Sequence, residues 1–229
     1  VLPFRMLRPD ADTEFLAFSL PDAVASSLGG LRSVVVRSSI VASRVTGAAL
    51  EPQKVGAEAD VDVIVSGTLL RVGGELRVAT QLTDAASGTL IWSNTAQMPV
   101  DDLFQVQDEL AQRIVESLSL PLTEREQSLL RRDVPASPRA YECYLRGNQL
   151  SQDSKQWTVA RDLYLKCVDE DPGYAPAWAR LGRVQHVIGK YLPTGTQDDL
   201  VHAEASFRRA LDINSELAMS HKMLAQLEV

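Results

Sequence analysis

Two prolines three residues apart, Pro135 and Pro138, divide this chain into halves that obey different rules of hydrophobic spacing. Proline lacks the backbone donor a helix or ladder needs, and it pushes the residue before it out of the helical region. Arg132-Asp133-Val134-Pro135-Ala136-Ser137-Pro138 therefore cannot lie inside a regular element, and its small residues suit an exposed connection. The spacing predicts a domain over 1–132, a linker over 133–138 and a second region over 139–229. At 229 residues and 45% hydrophobic side chains, the chain can fill a core in each half.

Ahead of the linker, strand and helix periods alternate. Leu2 to Met6 reads as a short strand. Apolar residues from Phe15 to Leu28 fall near a helical period, and Gly29-Gly30 ends it. Pro21 suits a first helical turn, which puts the expected helix start near Ser19 and Leu20. Val34-Val35-Val36 is a dense β-branched run, expected to be a buried strand. A short helix is expected over Pro52 to Ala59. Val61, Val63 and Val65 then alternate with Asp62, Ile64 and Ser66, and the run continues through Leu70. Gly73-Gly74 marks a tight turn of the primed kind, Leu76 to Leu82 alternates strictly, and Thr89-Leu90-Ile91-Trp92 returns. Residues 61–96 thus predict an antiparallel three-stranded meander with one wet face. Asp101 and Asp102 are expected to cap a helix with the stripe Leu103, Val106, Leu110, Ile114, Val115 and Leu118, and Thr123 and Glu126 to form a capping box.

Behind the linker the pattern is helical throughout, and it repeats. Ala160, Tyr164, Cys167, Asp171, Trp178 and Leu181 each have a counterpart 43 residues on: Ala203, Phe207, Ala210, Asn214, His221 and Leu224. A helix-turn-helix repeat is about 34 residues long, so the offset implies an insertion, placed in the loop-like Tyr191 to Gln197. Trp178 is expected to be a core residue whose truncation to Ala costs about 3–5 kcal/mol.

Both halves carry a family resemblance. Trp178-x-x-Leu181-Gly182 followed by Ala203-x-x-x-Phe207-x-x-Ala210 resembles a tetratricopeptide repeat, as does Ala160-x-x-x-Tyr164-x-x-Cys167 with Asp171-Pro172. Tyr144-Leu145-Arg146-Gly147 departs from the usual Trp-Leu-Gly arrangement, and a third unit breaks off at Val229. Val1-Leu2-Pro3-Phe4, Val65-Ser66-Gly67-Thr68-Leu69, Gly88-Thr89-Leu90-Ile91-Trp92 and Phe104-x-x-Gln107-Asp108-Glu109 resemble the TolB-like amino-terminal domain. That resemblance implies the order β-α-β-α-β-β-β-α. The fold expected is therefore an α/β (α+β) domain with a mixed sheet, followed by an all-α array of helical hairpins. It also implies a bacterial multidomain regulator carrying a Ser/Thr kinase, adenylate cyclase or winged-helix DNA-binding domain, with the kinase expected first. Val1 is not Met and sits in a strand already under way, so further chain is expected before it.

Function classes are narrowed by what the residues lack. Thirty acidic against 23 basic side chains give a net charge of -7, a poor match to nucleic-acid phosphates. No glycine-rich phosphate loop or nucleophile elbow is present, and the carboxylate pairs are explained as helix caps and solvated ends. His186, His202 and His221 lack a His or Cys partner at metal-ligand spacing. Cys143 and Cys167 fall on apolar helix faces, as small buried hydrophobes do. No catalytic residue, metal or cofactor is expected, and a non-catalytic segment is. Its helices would hold a protein or peptide on their concave side, at Tyr144, Asn148, Arg183 and His186. The alternative is a small-molecule-sensing α/β domain, for which a polar-lined pocket at the open edge of the sheet would be the sign.

Overall fold

The computed structural model describes residues 1–44, 51–100, 102–130 and 132–227. Asp101, one of the two expected caps, lies outside the described residues. The chain divides into two compact units, Val1–Leu130 and Arg131–Val229.

The first unit is mixed α/β. Its sheet has the order β1(Arg5–Met6)-β2(Val63–Val72)-β3(Glu75–Asp84)-β4(Leu90–Pro99), with β1 parallel to β2 and the others antiparallel. The meander is longer than its pattern suggested, since β4 runs on to Pro99. Gly73 has φ of 63° and Gly74 is not in the left-handed region. That excludes a type I′ turn, which needs positive φ at both positions, and fits type II′. Leu69, Leu76, Val78 and Leu82 are fully buried on one face. α1(Leu16–Leu28), with Leu16, Leu20 and Val24 buried, packs against α4(Leu103–Ser117), with Val106, Leu110 and Ile114 buried, and α4 lies against β4. A smaller cluster of Leu2, Ala42, Val55, Ile64 and Ala85 covers one end of the other face. It is supplied partly by α2(Ser39–Arg44) and α3(Pro52–Ala59).

Two expectations fail here for identifiable reasons. Pro21 lies inside α1 rather than in its first turn. A proline there leaves the carbonyl of Ala17 without its helical donor. The Phe4 N–H fills that vacancy at 2.7 Å, so the strand entering the sheet satisfies the helix. Val34-Val35-Val36 forms no strand: it is an unpaired connection, and Val35 is 81% exposed. Three β-branched residues squeezed between the end of α1 and the start of α2 alternate only once, and that is too short a run to keep both faces dry.

The end of this unit is tied by a working capping box. The Glu126 carboxylate accepts from the Thr123 N–H at 2.9 Å and hydroxyl at 2.8 Å, while Thr123 Oγ1 accepts from the Glu126 N–H. Glu126, on α5(Glu124–Leu130), also accepts from the Arg32 N–H at 2.9 Å. These donors, with the charge of Arg32, hold the carboxyl below its ordinary range. Asp102 precedes α4, but its side chain makes no capping hydrogen bond.

The second unit is helical: α6(Pro138–Leu150), α7(Trp157–Glu170), α8(Ala175–Tyr191), α9(Gln197–Ile213) and α10(Ala218–Leu227), with a 3-10 turn at Ser154–Gln156. Ser137 caps α6, with Pro138 in its first turn, and a Thr196–Asp199 capping box starts α9. Consecutive helices pack as hairpins. A Cβ on Gly147 would lie 2.7 Å from the Tyr164 ring, and one on Gly182 would lie 2.8 Å from the Phe207 ring. Gly147 therefore fills the role in the first hairpin that Gly182 fills in the second, despite the unusual residues before it.

The 43-residue repeat extends to individual hydrogen bonds. The Asp171 N–H donates to Cys167 and the Tyr174 N–H to Asp171; likewise Asn214 donates to Ala210 and Leu217 to Asn214. The Asp171 carboxylate accepts from the Gly173 N–H, as the Asn214 side chain does from Glu216. Trp178 Nε1 donates to the Pro172 carbonyl six residues back at 3.0 Å, and His221 Nε2 contacts the Ser215 carbonyl at 2.7 Å. Trp178 is thus half-buried and tethering the preceding turn rather than filling the core, and His221 is exposed in the same role. Among the described residues, no helix is long and apolar enough to cross a membrane.

Candidate functional sites

The four residues expected to line a peptide groove do not share one environment. Tyr144 is 3% exposed and Asn148 is fully buried, so neither faces outward. Tyr144 stacks on Tyr141 at 5.9 Å between ring centroids and meets Tyr174 edge-on at 5.2 Å. Such pairs contribute about 0.5–1.5 kcal/mol beyond their burial. Burial and the neighbouring tyrosines push the Tyr174 hydroxyl well above its ordinary pKa. Asn148 Oδ1 accepts from the Tyr164 hydroxyl at 2.8 Å. These side chains belong to the seam of the first hairpin. Sequence spacing placed them on a face of α6 without showing that α7 and the Tyr174 turn cover that face.

Arg183 and His186 both lie on α8; the first is partly open to solvent and the second is buried. Arg183 is half-buried and lines a small cavity of about 40 Å³ with Ser151, Trp157, Tyr164, Arg180, Val184 and Val187. His186 is 9% exposed, and its Nδ1 has no hydrogen-bond partner among the described residues. The Asn148 Nδ2 is likewise buried and without a partner there. Burial, and then the charge of Lys190, lower the His186 pKa, so the ring is held neutral. A buried polar atom left unpaired is costly, about 1–3 kcal/mol, and is where an incoming hydrogen-bonding group would find a partner.

The first unit contains a second candidate that motif reading missed. A cleft of about 380 Å³ lies between the Val34–Arg37 connection and the β2 side of the sheet. Leu28, Val34, Val36, Ile64, Ile114 and Leu118 give it apolar walls. Its charged residues include Arg37, Asp60 and Asp62. The Arg37 side chain donates to the Ala59 carbonyl at 3.0 Å and the Asp60 carbonyl at 3.0 Å, and it pairs with the Asp60 carboxylate. The signal in the sequence is the β-branched run itself, whose strand-like composition points to the sheet.

Among the described residues, no group of three or more His, Cys, Asp or Glu could hold a metal ion. Cys143 is half-buried and Cys167 fully buried, and both are free thiols. Burial pushes the Cys167 thiol up to about 12 and raises Cys143 as well, so neither has the low pKa of a nucleophile.

No family model matches the sequence. The chain is 26% identical over 231 residues to a Rhizobium meliloti (strain 1021) protein named "Putative adenylate cyclase 3". The match covers 98% of this chain and 39% of that protein, so the chain spans about two fifths of its relative's length. Among solved structures it is similar to lipoprotein GNA1162 of Neisseria meningitidis. That match has 18% identity and a TM-score of 0.36, covering 53% of this chain and 96% of the other.

Proposed function

We propose that this chain is the non-catalytic regulatory segment of a bacterial signalling protein, with its helical unit holding a protein or peptide partner. In this reading the helices are tetratricopeptide repeats and the first unit is a TolB-like domain. The observation that carries it is the glycine-on-aromatic lock, built once at Gly147–Tyr164 and again at Gly182–Phe207. Stacked units of this kind present the first helix of each hairpin to a ligand, and here those helices are α6 and α8. Arg183 and His186 are the residues proposed to meet the partner.

The name of the Rhizobium relative favours an adenylate cyclase domain as the attached catalytic part, over the Ser/Thr kinase expected from resemblance. Removing residues 139–229 from the full-length protein is expected to change its cyclase output. The purified chain given ATP is expected to release no cyclic AMP, ADP or phosphate. Turnover by the chain alone, or a full-length enzyme indifferent to the deletion, contradicts the proposal.

A second reading rests on the apolar cleft beside Val34–Arg37: the first unit senses a small molecule and passes the state to the attached domain. Arg37→Ala would then alter the regulation of the full-length protein while leaving the helical unit's partner affinity unchanged.

A further inference from the structure

We propose that β4 pairs with β4 of a second copy of this chain, antiparallel, about a two-fold axis at Thr95. The strand is the outer edge of the sheet, ten residues long, and carries no ionisable side chain from Leu90 to Pro99. Long edges are ordinarily protected by charge, because their open donors and acceptors invite another strand. Protection here is confined to the two ends.

The direction of the open groups follows from the ladder. The Val100 N–H donates to the Gly74 carbonyl at 3.0 Å. In an antiparallel pair every second residue repeats that bonding, so Met98, Ala96 and Asn94 turn their main-chain groups toward β3. Gln97, Thr95 and Ser93 therefore turn theirs to the open edge, and all three are exposed. Pro99 continues this outward set and has no N–H to offer, as expected of an edge proline. At the other end the register shifts between Leu82 and Thr83, which makes Ile91 an extra residue and interrupts the ladder. The bulge at Ile91 and the proline at Pro99 are both four residues from Thr95. The usable edge is thus symmetric about that residue.

A two-fold axis at Thr95 uses this symmetry fully. Thr95 meets its own copy, and Ser93 meets Gln97, with three main-chain donors from each copy finding carbonyls. Asn94 lies opposite Ala96 and Trp92 opposite Met98, a sulfur–aromatic pair on the face that carries the helices. Thr–Thr pairs across strands are favourable, and with no charge on β4 no like charges meet. A second copy therefore fits this edge by its own pattern, and the two sheets join into one of eight strands.

Sedimentation of the chain across a wide concentration range is expected to show a dimer. Thr95→Lys puts two ammonium groups directly opposite each other on an exposed position and is expected to abolish it, as is Thr95→Glu. Mixing the two variants is expected to restore a dimer containing one of each. Register is checked by disulfides in a Cys143→Ser background: Asn94→Cys mixed with Ala96→Cys is expected to cross-link, and Asn94→Cys alone is not. A wild-type chain monomeric throughout, a dimer that survives Thr95→Lys, or charge variants that fail to pair on mixing would each overturn the proposal.

Discussion

The close contact at Gly182 gives a prediction whose sign is opposite to that of helix propensity. Gly182 lies within α8, and replacing a helical glycine by alanine is worth about 1 kcal/mol of stability when nothing opposes it. Here the new Cβ would sit 2.8 Å from two Phe207 ring carbons and 2.9 Å from the Ala203 carbonyl oxygen. Phe207 is fully buried and cannot swing aside, and the carbonyl belongs to the backbone of α9. Overpacking of this kind costs about 1–3 kcal/mol, toward the upper end where backbone must move. The net expectation for Gly182→Ala is a loss of about 1–2 kcal/mol. For a unit of this size that is a fall in Tm of about 5–10 °C. Far-ultraviolet circular dichroism followed on heating reads it directly. Phe207→Leu in the same chain should relieve part of the clash, so the double variant should be less destabilised than the two single losses added together. A Tm that rises with Gly182→Ala, as propensity alone would give, refutes the argument that α8 and α9 meet through this glycine.

Four further outcomes follow from the geometry. Trp178→Ala should cost about 1–3 kcal/mol, less than for a buried tryptophan, because the ring is half-buried and tethers the Pro172 turn; urea unfolding measures it. The folded pKa of His186 is lowered, so its neutral ring contributes stability that is full above the ordinary value of 6.5 and lost as pH falls below it; His186→Gln should flatten the pH dependence of unfolding in that window. Glu126 is depressed below its ordinary value of 4.5, so its contribution is present above that pH and lost on acidification; Glu126→Gln should lower the stability of the first unit at neutral pH and blunt its acid sensitivity. Cys167, fully buried and with its thiol near 12, should resist alkylation until the helical unit unfolds, which timed iodoacetamide labelling and mass spectrometry will show.

Much of the fold was legible because local chemistry and tertiary context agreed. The alternation of Leu76 to Leu82 marked a half-buried strand, and Gly73-Gly74 fixed the hairpin that set its register. The 43-residue offset recovered a repeat down to the Asp171 and Asn214 turns, since each turn is built by side chains close in sequence. The misses are places where distant partners decide. Pro21 is tolerated inside α1 because Phe4 supplies the missing donor. Val34–Val36 has strand propensity without a ladder to join. Periodicity gives a helix its faces but not the neighbour that covers each one, so it points Tyr144, Asn148 and His186 outward where the fold buries them. The cleft was invisible for a related reason: its walls come from elements far apart in the sequence.

The central claim, that the helical unit binds a partner through α6 and α8, is tested most directly by hydrogen exchange. The chain would be screened against a library of short peptides, and its amide protection mapped by mass spectrometry with the tightest binder present. The account predicts new protection on α6 and α8 around Arg183 and His186, lost in Arg183→Glu. Protection confined to the Val34–Arg37 cleft, or none anywhere, contradicts it.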